Sequence, residues 1–245
     1  MSGNGGFLRA ATVVAEMARE LRDGDVVATG VASPLAILAI EVAKRTHAPN
    51  LTWLACVGSM NPIVRTLSAC SEDLQYLEGR TGQVSIPELF DHARRGRVDV
   101  MFFGAAEVDG NGDTNLTAAG SLDKPRYKFP GVAGAATLRR WVHRPILTVP
   151  RQSRRNLVRR VQIASTTDPG RSTRLLTNLG VFELGQQGAR LLSRRPWAEP
   201  EAIRENTGFE FTAADPLPIT PTPEPEYLEA IRAIDSRNLS ERIVA

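Results

Sequence analysis

The chain has little from which to build a metal or redox centre. Its 245 residues include two cysteines, Cys56 and Cys70, and three histidines, His47, His92 and His143. The cysteines form no CxxC pair, and so few histidines supply no credible zinc ligand set. Two thiols in a cytosolic chain are not expected to form a structural disulfide. No apolar run is long enough to span a bilayer. The opening residues, MSGNGGFLRAATVV, lack the charged-then-apolar order of a secretory signal. These absences lead us to expect a cytoplasmic protein without membrane contact. Aromatic interleaving on a basic face is also missing. The excess charge of +3 is concentrated in residues 139–160, RRWVHRPILTVPRQSRRNLVRR. An apolar, strand-like piece, Pro145–Val149, interrupts those arginines, and no nucleic-acid motif accompanies them. We therefore expect no nucleic-acid partner. The stretch reads instead as a solvated strand-loop edge or a site for an anion such as a nucleotide phosphate.

What is present is a soluble, globular composition, 42% hydrophobic and 23% charged, long enough to bury a full core. Residues 8–21 place Val13, Val14, Met17, Ala18 and Leu21 on one helical face. Asp23-Gly24-Asp25 is a turn and Val26–Gly30 a short strand. Pro34–Arg45 begins with proline in the first turn and ends in cations, both helix signals. Leu51–Cys56 is the next strand. Helix, strand, helix and strand in that order contain a βαβ unit, which requires a parallel sheet. Further on, Ile86–Gly96 reads as a helix and Val98–Phe103 as a strand. Gly120–Ala136 reads as loop, Pro145–Val149 and Leu157–Ile163 as strands, and Thr177–Leu184 as a hairpin. Glu199–Thr207 starts a short helix. Residues 213–225 form a proline-rich arm, and Tyr227–Ile234 is a final helix. We expect a domain over residues 1–212, with the arm and helix of residues 213–245 packing on it or on a partner.

The densest stretch is Val98–Thr117, VDVMFFGAAEVDGNGDTNLT. A buried strand ends in the small residues Gly104, Ala105 and Ala106, and a polar turn, Asp109–Asp113, follows. Open α/β sheets place ligands at such strand ends. An ordinary β-hairpin turn accounts for the spacing equally well.

Several segments, in order along the chain, resemble a known family. They are Asp25–Pro34, Ala48-Pro49-Asn50, Phe103–Thr117, Phe129–Ala135, Arg154-Arg155, Leu179–Phe182 and Glu205–Phe209. Together they resemble the beta subunit of family I CoA-transferases, most closely the glutaconate CoA-transferase type. The resemblance implies an α/β fold with an open, mainly parallel sheet and flanking helices, of the CoA-transferase and NagB-like kind. It implies an alpha-type partner subunit in a hetero-oligomer, such as a dimer of alpha-beta dimers. Coenzyme A would enter as part of an acyl-CoA substrate, with no permanently bound cofactor. In the family, a glutamate carboxylate attacks the thioester to give a mixed anhydride and then a glutamyl-CoA thioester. The resemblance also implies substrate contacts from Gly30, Gly58, Gly104, Ala105, Ala106, Asn111, Gly131 and Gly134, whose backbone would approach the acyl-CoA and stabilise an oxyanion.

One position departs from the pattern. The family's glutamate ends the strand after Ala-Pro-Asn, two residues before a glycine, and Cys56 stands there. Three readings are open. Cys56 is a small buried residue in a site that lost its nucleophile, or a nucleophilic thiol, or catalysis has moved to another carboxylate. Glu107 is the candidate carboxylate in this chain. The family motif Gly-Gly-Ala-Gln-Val/Ile-Asp reads Gly104-Ala105-Ala106-Glu107-Val108-Asp109 here, so a base or nucleophile replaces an amide. The alternative is a solvated glutamate at a strand end. Asp109 is expected to bond to turn N–H groups. Arg154 and Arg155 face CoA phosphates or a subunit interface. Glu205–Gly208 reads as a helix end stopped by glycine.

The expected function is therefore a CoA-transferase-family beta subunit with an atypical site. Ring-opening hydrolysis of a steroid-derived CoA thioester, with catalysis by a partner carboxylate, is the alternative. A non-catalytic scaffold subunit is the second alternative.

Overall fold

The computed structural model describes residues 3–167 and 170–245. In chain order the elements are α1 (Gly3–Arg19), β1 (Val26–Ala28), α2 (Pro34–Arg45), β2 (Thr52–Ala55), β3 (Ser59–Met60), β4 (Gly82–Gln83), α3 (Ile86–Arg94) and β5 (Val100–Gly104). There follow β6 (Glu107–Val108), β7 (Thr114–Asn115), β8 (Ala118–Gly120), β9 (Pro125–Lys128), α4 (Ala135–Trp141), β10 (Arg144–Val149) and β11 (Thr173–Thr177). The last are β12 (Gly180–Leu184), β13 (Ala189–Arg194), α5 (Pro200–Glu205), β14 (Phe211–Ala213), α6 (Pro225–Ile234) and α7 (Leu239–Val244). Contacts divide the chain into two units. Unit 1 is Met1–Phe102, Trp141–Arg144 and Pro221–Ala245; unit 2 is Phe103–Arg140 and Pro145–Thr220.

In unit 1 the strands run in the order β5-β1-β2-β3-β4. The first three are parallel, with Val27 opposite both Val100 and Trp53. The outer two are antiparallel. The parallel pair follows from the α2 crossover that the sequence pattern requires. Nine consecutive residues of α2, Leu35–Ala43, are buried. A helix that is apolar all round must be covered on every side, and α1 and α6 pack against it. Its one carboxylate, Glu41, pairs with Arg45 at 3.5 Å, and its burial pushes that carboxyl above the usual range. The Tyr227 hydroxyl of α6 is hydrogen-bonded to His47 Nδ1 at 2.7 Å, which fastens α6 to the end of α2.

In unit 2 the order is β14-β13-β12-β11-β10. The β10–β11 and β13–β14 pairs are parallel, while β12 runs antiparallel to both its neighbours. The architecture is thus α/β with a mixed sheet, parallel around β1 and β10 and antiparallel in the hairpins. Phe182 is fully buried and meets Phe209 and Phe211 edge-on. Two short hairpins, β6–β7 and β8–β9, stand apart from the main strands. The proline-rich stretch runs extended along β13, where Arg194 N donates to Pro218 O and Thr220 N to Arg194 O.

Four expectations are corrected. Tyr227–Ile234 is not the final helix, because α7 (Leu239–Val244) follows it. Leu157–Ile163 is not a strand but part of an irregular segment that touches β6 and β7 through isolated bridges at Leu157 and Thr166. Leu157 and Val161 are buried by tertiary contact, without a ladder to hold a period. Gly120–Ala136 is not loop throughout, because it contains β9 and the start of α4. Gly208 is not a helix stop. Helix α5 ends at Glu205 with Asn206 as its cap, and Gly208 lies against the Leu157 backbone. Among the described residues no helix is long and apolar enough to cross a membrane.

Candidate active site

Strands β1 and β2 are parallel and in register, with Ala28 opposite Leu54, so their carboxyl ends coincide. Gly30 and Cys56 lie just beyond those ends, where parallel sheets carry ligands. Ser71 joins the two. Its carbonyl accepts the Cys56 thiol at 3.2 Å, and its hydroxyl accepts Ser33 N at 2.7 Å. Gly58 closes the turn after Cys56 with φ +94°, a conformation that glycine adopts without steric cost.

Burial, with the charge of Glu72 second, pushes the Cys56 thiol up to about 12; the backbone amides of Cys56 and Val57 offset this only in part. Cys56 is therefore a protonated thiol at neutral pH, a hydrogen-bond donor rather than a nucleophile. Iodoacetamide should therefore modify the exposed Cys70 well before Cys56. Peptide mapping of a time course checks this order, and faster labelling of Cys56 would show an activated thiolate.

In unit 2, Glu107 sits on β6 directly opposite Asn115 of β7. It is buried. One carboxylate oxygen, Oε2, accepts Asn115 Nδ2 at 2.8 Å and Gln162 N at 3.1 Å. Among the described residues, Oε1 accepts no hydrogen bond. The carboxylate is thus anchored by one oxygen and has the other to offer. Asn115 is itself held, donating to Ala118 O and accepting from Thr117 N. The Asp109–Asp113 turn between the strands is a hairpin turn. As expected, Asp109 accepts from the N–H groups of Asn111 and Asp113, and also from Val161 N. Asp113 is pushed up by burial and by Asp109.

The other candidates distribute as follows. Gly104 is exposed and Ala105 and Ala106 half-buried at the approach to Glu107, with Ala106 N donating to Asn115 O. Gly131 N donates to Leu116 O, which brings the Gly131–Gly134 loop beside Asn115. Gly134 O then accepts the N–H groups of Thr137 and Leu138 in α4. Asn111 stands at the exposed tip of the β6–β7 turn, away from the Glu107–Asn115 pair. Unit 1 therefore gathers Gly30, Cys56 and Gly58, and unit 2 gathers Gly104–Glu107 with Gly131–Gly134. Sequence reasoning missed Ser71, Asn115 and Gln162. Hairpin register offered a signal only for Asn115; the others act across gaps of 15 and 55 residues.

The basic stretch is not one face. Arg139 is buried and donates to Thr166 and Thr173, Arg144 pairs with Asp25, and Arg154 donates to Glu205 O. Among the described residues, no three His, Cys, Asp or Glu side chains gather to hold a metal ion.

Comparison with known proteins sets this geometry in context. A solved structure of the decarboxylase AibA/AibB matches with 63% identity and a TM-score of 0.95, covering 96% of this chain and 98% of that one. Forms of that complex with cysteine 56 changed to asparagine, valine, alanine or serine have also been solved. The B-type subunit of the 3-oxoadipate CoA-transferase of Pseudomonas knackmussii is 27% identical over 237 residues, 90% of each chain. The cholesterol ring-cleaving hydrolase IpdB subunit of Rhodococcus jostii is 30% identical over 181 residues, 67% of this chain and 70% of its own. The family model described as coenzyme A transferase matches residues 11–206, most of the chain, and the chain belongs to that family.

Proposed function

We propose that this chain is the B-type subunit of a two-subunit enzyme that decarboxylates an acyl-CoA whose acyl group carries a free carboxylate. The observation that carries this reading is Cys56 itself, whose thiol donates to Ser71 O at 3.2 Å at the strand end where the resemblance implies a glutamate. A glutamate there attacks the thioester and also repels a substrate carboxylate. A neutral thiol does neither, and it can give a proton. The 63% likeness to a decarboxylase over nearly the whole chain supports the same reaction class.

In the proposed reaction the bond between the carboxylate carbon and the acyl chain breaks and CO2 leaves. The electron pair remains on the acyl carbon and delocalises into the thioester carbonyl. A proton then completes that carbon. Backbone N–H groups of the Gly104–Ala106 and Gly131–Gly134 segments, other than those of Ala106 and Gly131, which already donate to Asn115 O and Leu116 O, are suited to stabilise the developing oxyanion. Glu107, with Oε1 uncommitted, is suited to exchange a proton with substrate. Coenzyme A enters as part of the substrate, the partner is an A-type subunit in a hetero-oligomer, and the compartment is the cytoplasm.

The test is to purify the chain with its partner subunit and supply dicarboxylic acyl-CoA thioesters. CO2 and a decarboxylated acyl-CoA are expected. Transfer of CoA to a free carboxylic acid would overturn the reading. Incorporation of 18O from water would favour ring-opening hydrolysis, the second reading, which the likeness to IpdB supports. In the same assay Glu107→Gln should lower turnover about a hundredfold with little loss of stability, because glutamine keeps an acceptor for Asn115 and Gln162. Unchanged turnover would make Glu107 a structural residue. If Cys56→Ala were also silent, the chain would be a scaffold.

A further inference from the structure

We infer that Asn115 is the positioning residue of this site: it confines proton exchange at Glu107 to Oε1 and fixes where that oxygen points. The inference rests on the acid–base role proposed above for Glu107 and names what makes one of its two oxygens the reacting one.

Glu107 and Asn115 face each other across the β6–β7 pair, where directly opposed side chains are close enough to meet. Asn115 is fully buried, so its amide must find its partners inside the protein. Those partners settle which way the amide faces. The N–H groups of Thr117 and Ala118, at 3.0 and 3.4 Å, are donors and require the carbonyl oxygen. Ala118 O and the Glu107 carboxylate, both at 2.8 Å, are acceptors and require the NH2 group. Turning the amide over would set donor against donor and acceptor against acceptor at all four contacts. Asn115 therefore always aims an N–H at Glu107.

Gln162 N is the second donor there, at 3.1 Å, and both donors go to Oε2. A proton on Oε2 would take a lone pair that one of them uses. Oε1 is left to carry it. Among the described residues Oε1 accepts no hydrogen bond. Nor is it one of their wholly buried, unpartnered polar atoms, so it shares in the 6% of its surface that Glu107 keeps exposed. A carboxylate free to turn about its last bond would present either oxygen. The Asn115 clamp presents one, in one place, and a reacting group held in place is worth orders of magnitude in rate.

The step can be run backwards on a decarboxylated product. Oε1 takes a proton from the acyl carbon that loss of CO2 leaves holding the electron pair. The C–H bond breaks, an O–H bond forms on Oε1, and the pair passes into the thioester carbonyl. Solvent exchanges the Oε1 proton, and the reverse step returns it to carbon.

The experiment follows deuterium entering propionyl-CoA and crotonyl-CoA in D2O, by mass spectrometry, with the complex of this chain and its partner subunit. These thioesters carry their acidic hydrogens on the α and γ carbons, whose carbanions delocalise into the carbonyl. Asn115→Ser keeps the Thr117 turn, because a serine hydroxyl accepts the same N–H, and loses the donor to Glu107. Its exchange rate at saturation is expected to fall about 10- to 100-fold, with KM within about twofold of wild type. Asn115→Asp also keeps the turn but faces Oε2 with an acceptor, so the two carboxylates must share a proton. Its exchange should fall about a hundredfold or more, again with KM little changed. Native exchange in both variants would overturn the inference. So would a rise in KM that matches the lost rate, the mark of a structural residue. Those results leave the acyl-CoA reading standing. A wild-type complex that binds the thioesters without exchanging deuterium would overturn the role of Glu107 and this inference with it. One that binds neither would overturn the acyl-CoA reading as well.

Discussion

Replacing Cys56 with glutamate is expected to reduce CO2 release about a thousandfold and to create a covalent CoA adduct on the chain. The first effect is electrostatic. Two carboxylates about 4 Å apart repel by about 4 kcal/mol at the effective dielectric of a partly buried site, which corresponds to a factor of about a thousand. The native thiol avoids that repulsion because burial and Glu72 hold it protonated. The second effect is chemical. The new carboxylate attacks the thioester carbonyl and expels CoA thiolate, forming a mixed anhydride. The thiolate then attacks the glutamyl carbonyl and releases the substrate acid. Mass spectrometry of the intact chain, incubated with an acyl-CoA, should show the mass of CoA less one water added through residue 56. A variant that decarboxylates at the native rate would remove Cys56 from the mechanism. An adduct without CO2 release would show that the acyl-CoA pocket persists and that one side chain selects the reaction.

Gly208→Ala is expected to destabilise the protein by about 3 kcal/mol, at the upper end for overpacking because the obstruction is backbone. A Cβ on Gly208 would lie 2.5 Å from Leu157 O, 3.0 Å from Val158 Cα and 3.1 Å from Arg159 N. No side chain is available to swing aside. For a chain of this size that loss lowers Tm by on the order of 10 °C. The site should suffer with the fold. Gly208 N donates to Leu157 O, and the neighbouring backbone of Asn156 and Val158 pairs with Val108, next to Glu107. Displacing this segment also displaces Gln162. Gly104→Ala is the contrast, since a Cβ there meets nothing within 4 Å, and its Tm should stay within about 2 °C of wild type, as for surface substitutions. Differential scanning calorimetry of the two variants decides the point, and a Gly208→Ala protein as stable as wild type would refute the close-approach argument.

Local chemistry made much of this protein legible from its sequence. Helix α2 has the bounds that Pro34 and Arg45 announce, and the β1–α2–β2 crossover follows from periodicity and turn residues alone. The ordered family segments led to the coenzyme A transferase family, and the position of Cys56 exposed the missing glutamate. The sequence leads to transfer and hydrolysis; decarboxylation is proposed only with the likeness to a solved decarboxylase, which no local pattern in the chain announces.

Tertiary structure alone decided the rest. The protonation of Cys56 depends on burial and on Glu72, 16 positions away in the sequence. The orientation of Glu107 depends on Gln162, 55 residues away. Leu157–Ile163 has strand-like composition, yet its backbone is spent on bridges to the β6–β7 hairpin and on the approach of Gly208. These features arise where distant backbone and side chains meet. Such meetings have no period along the chain, whereas helices and strands declare themselves through the regular spacing of the residues they bury.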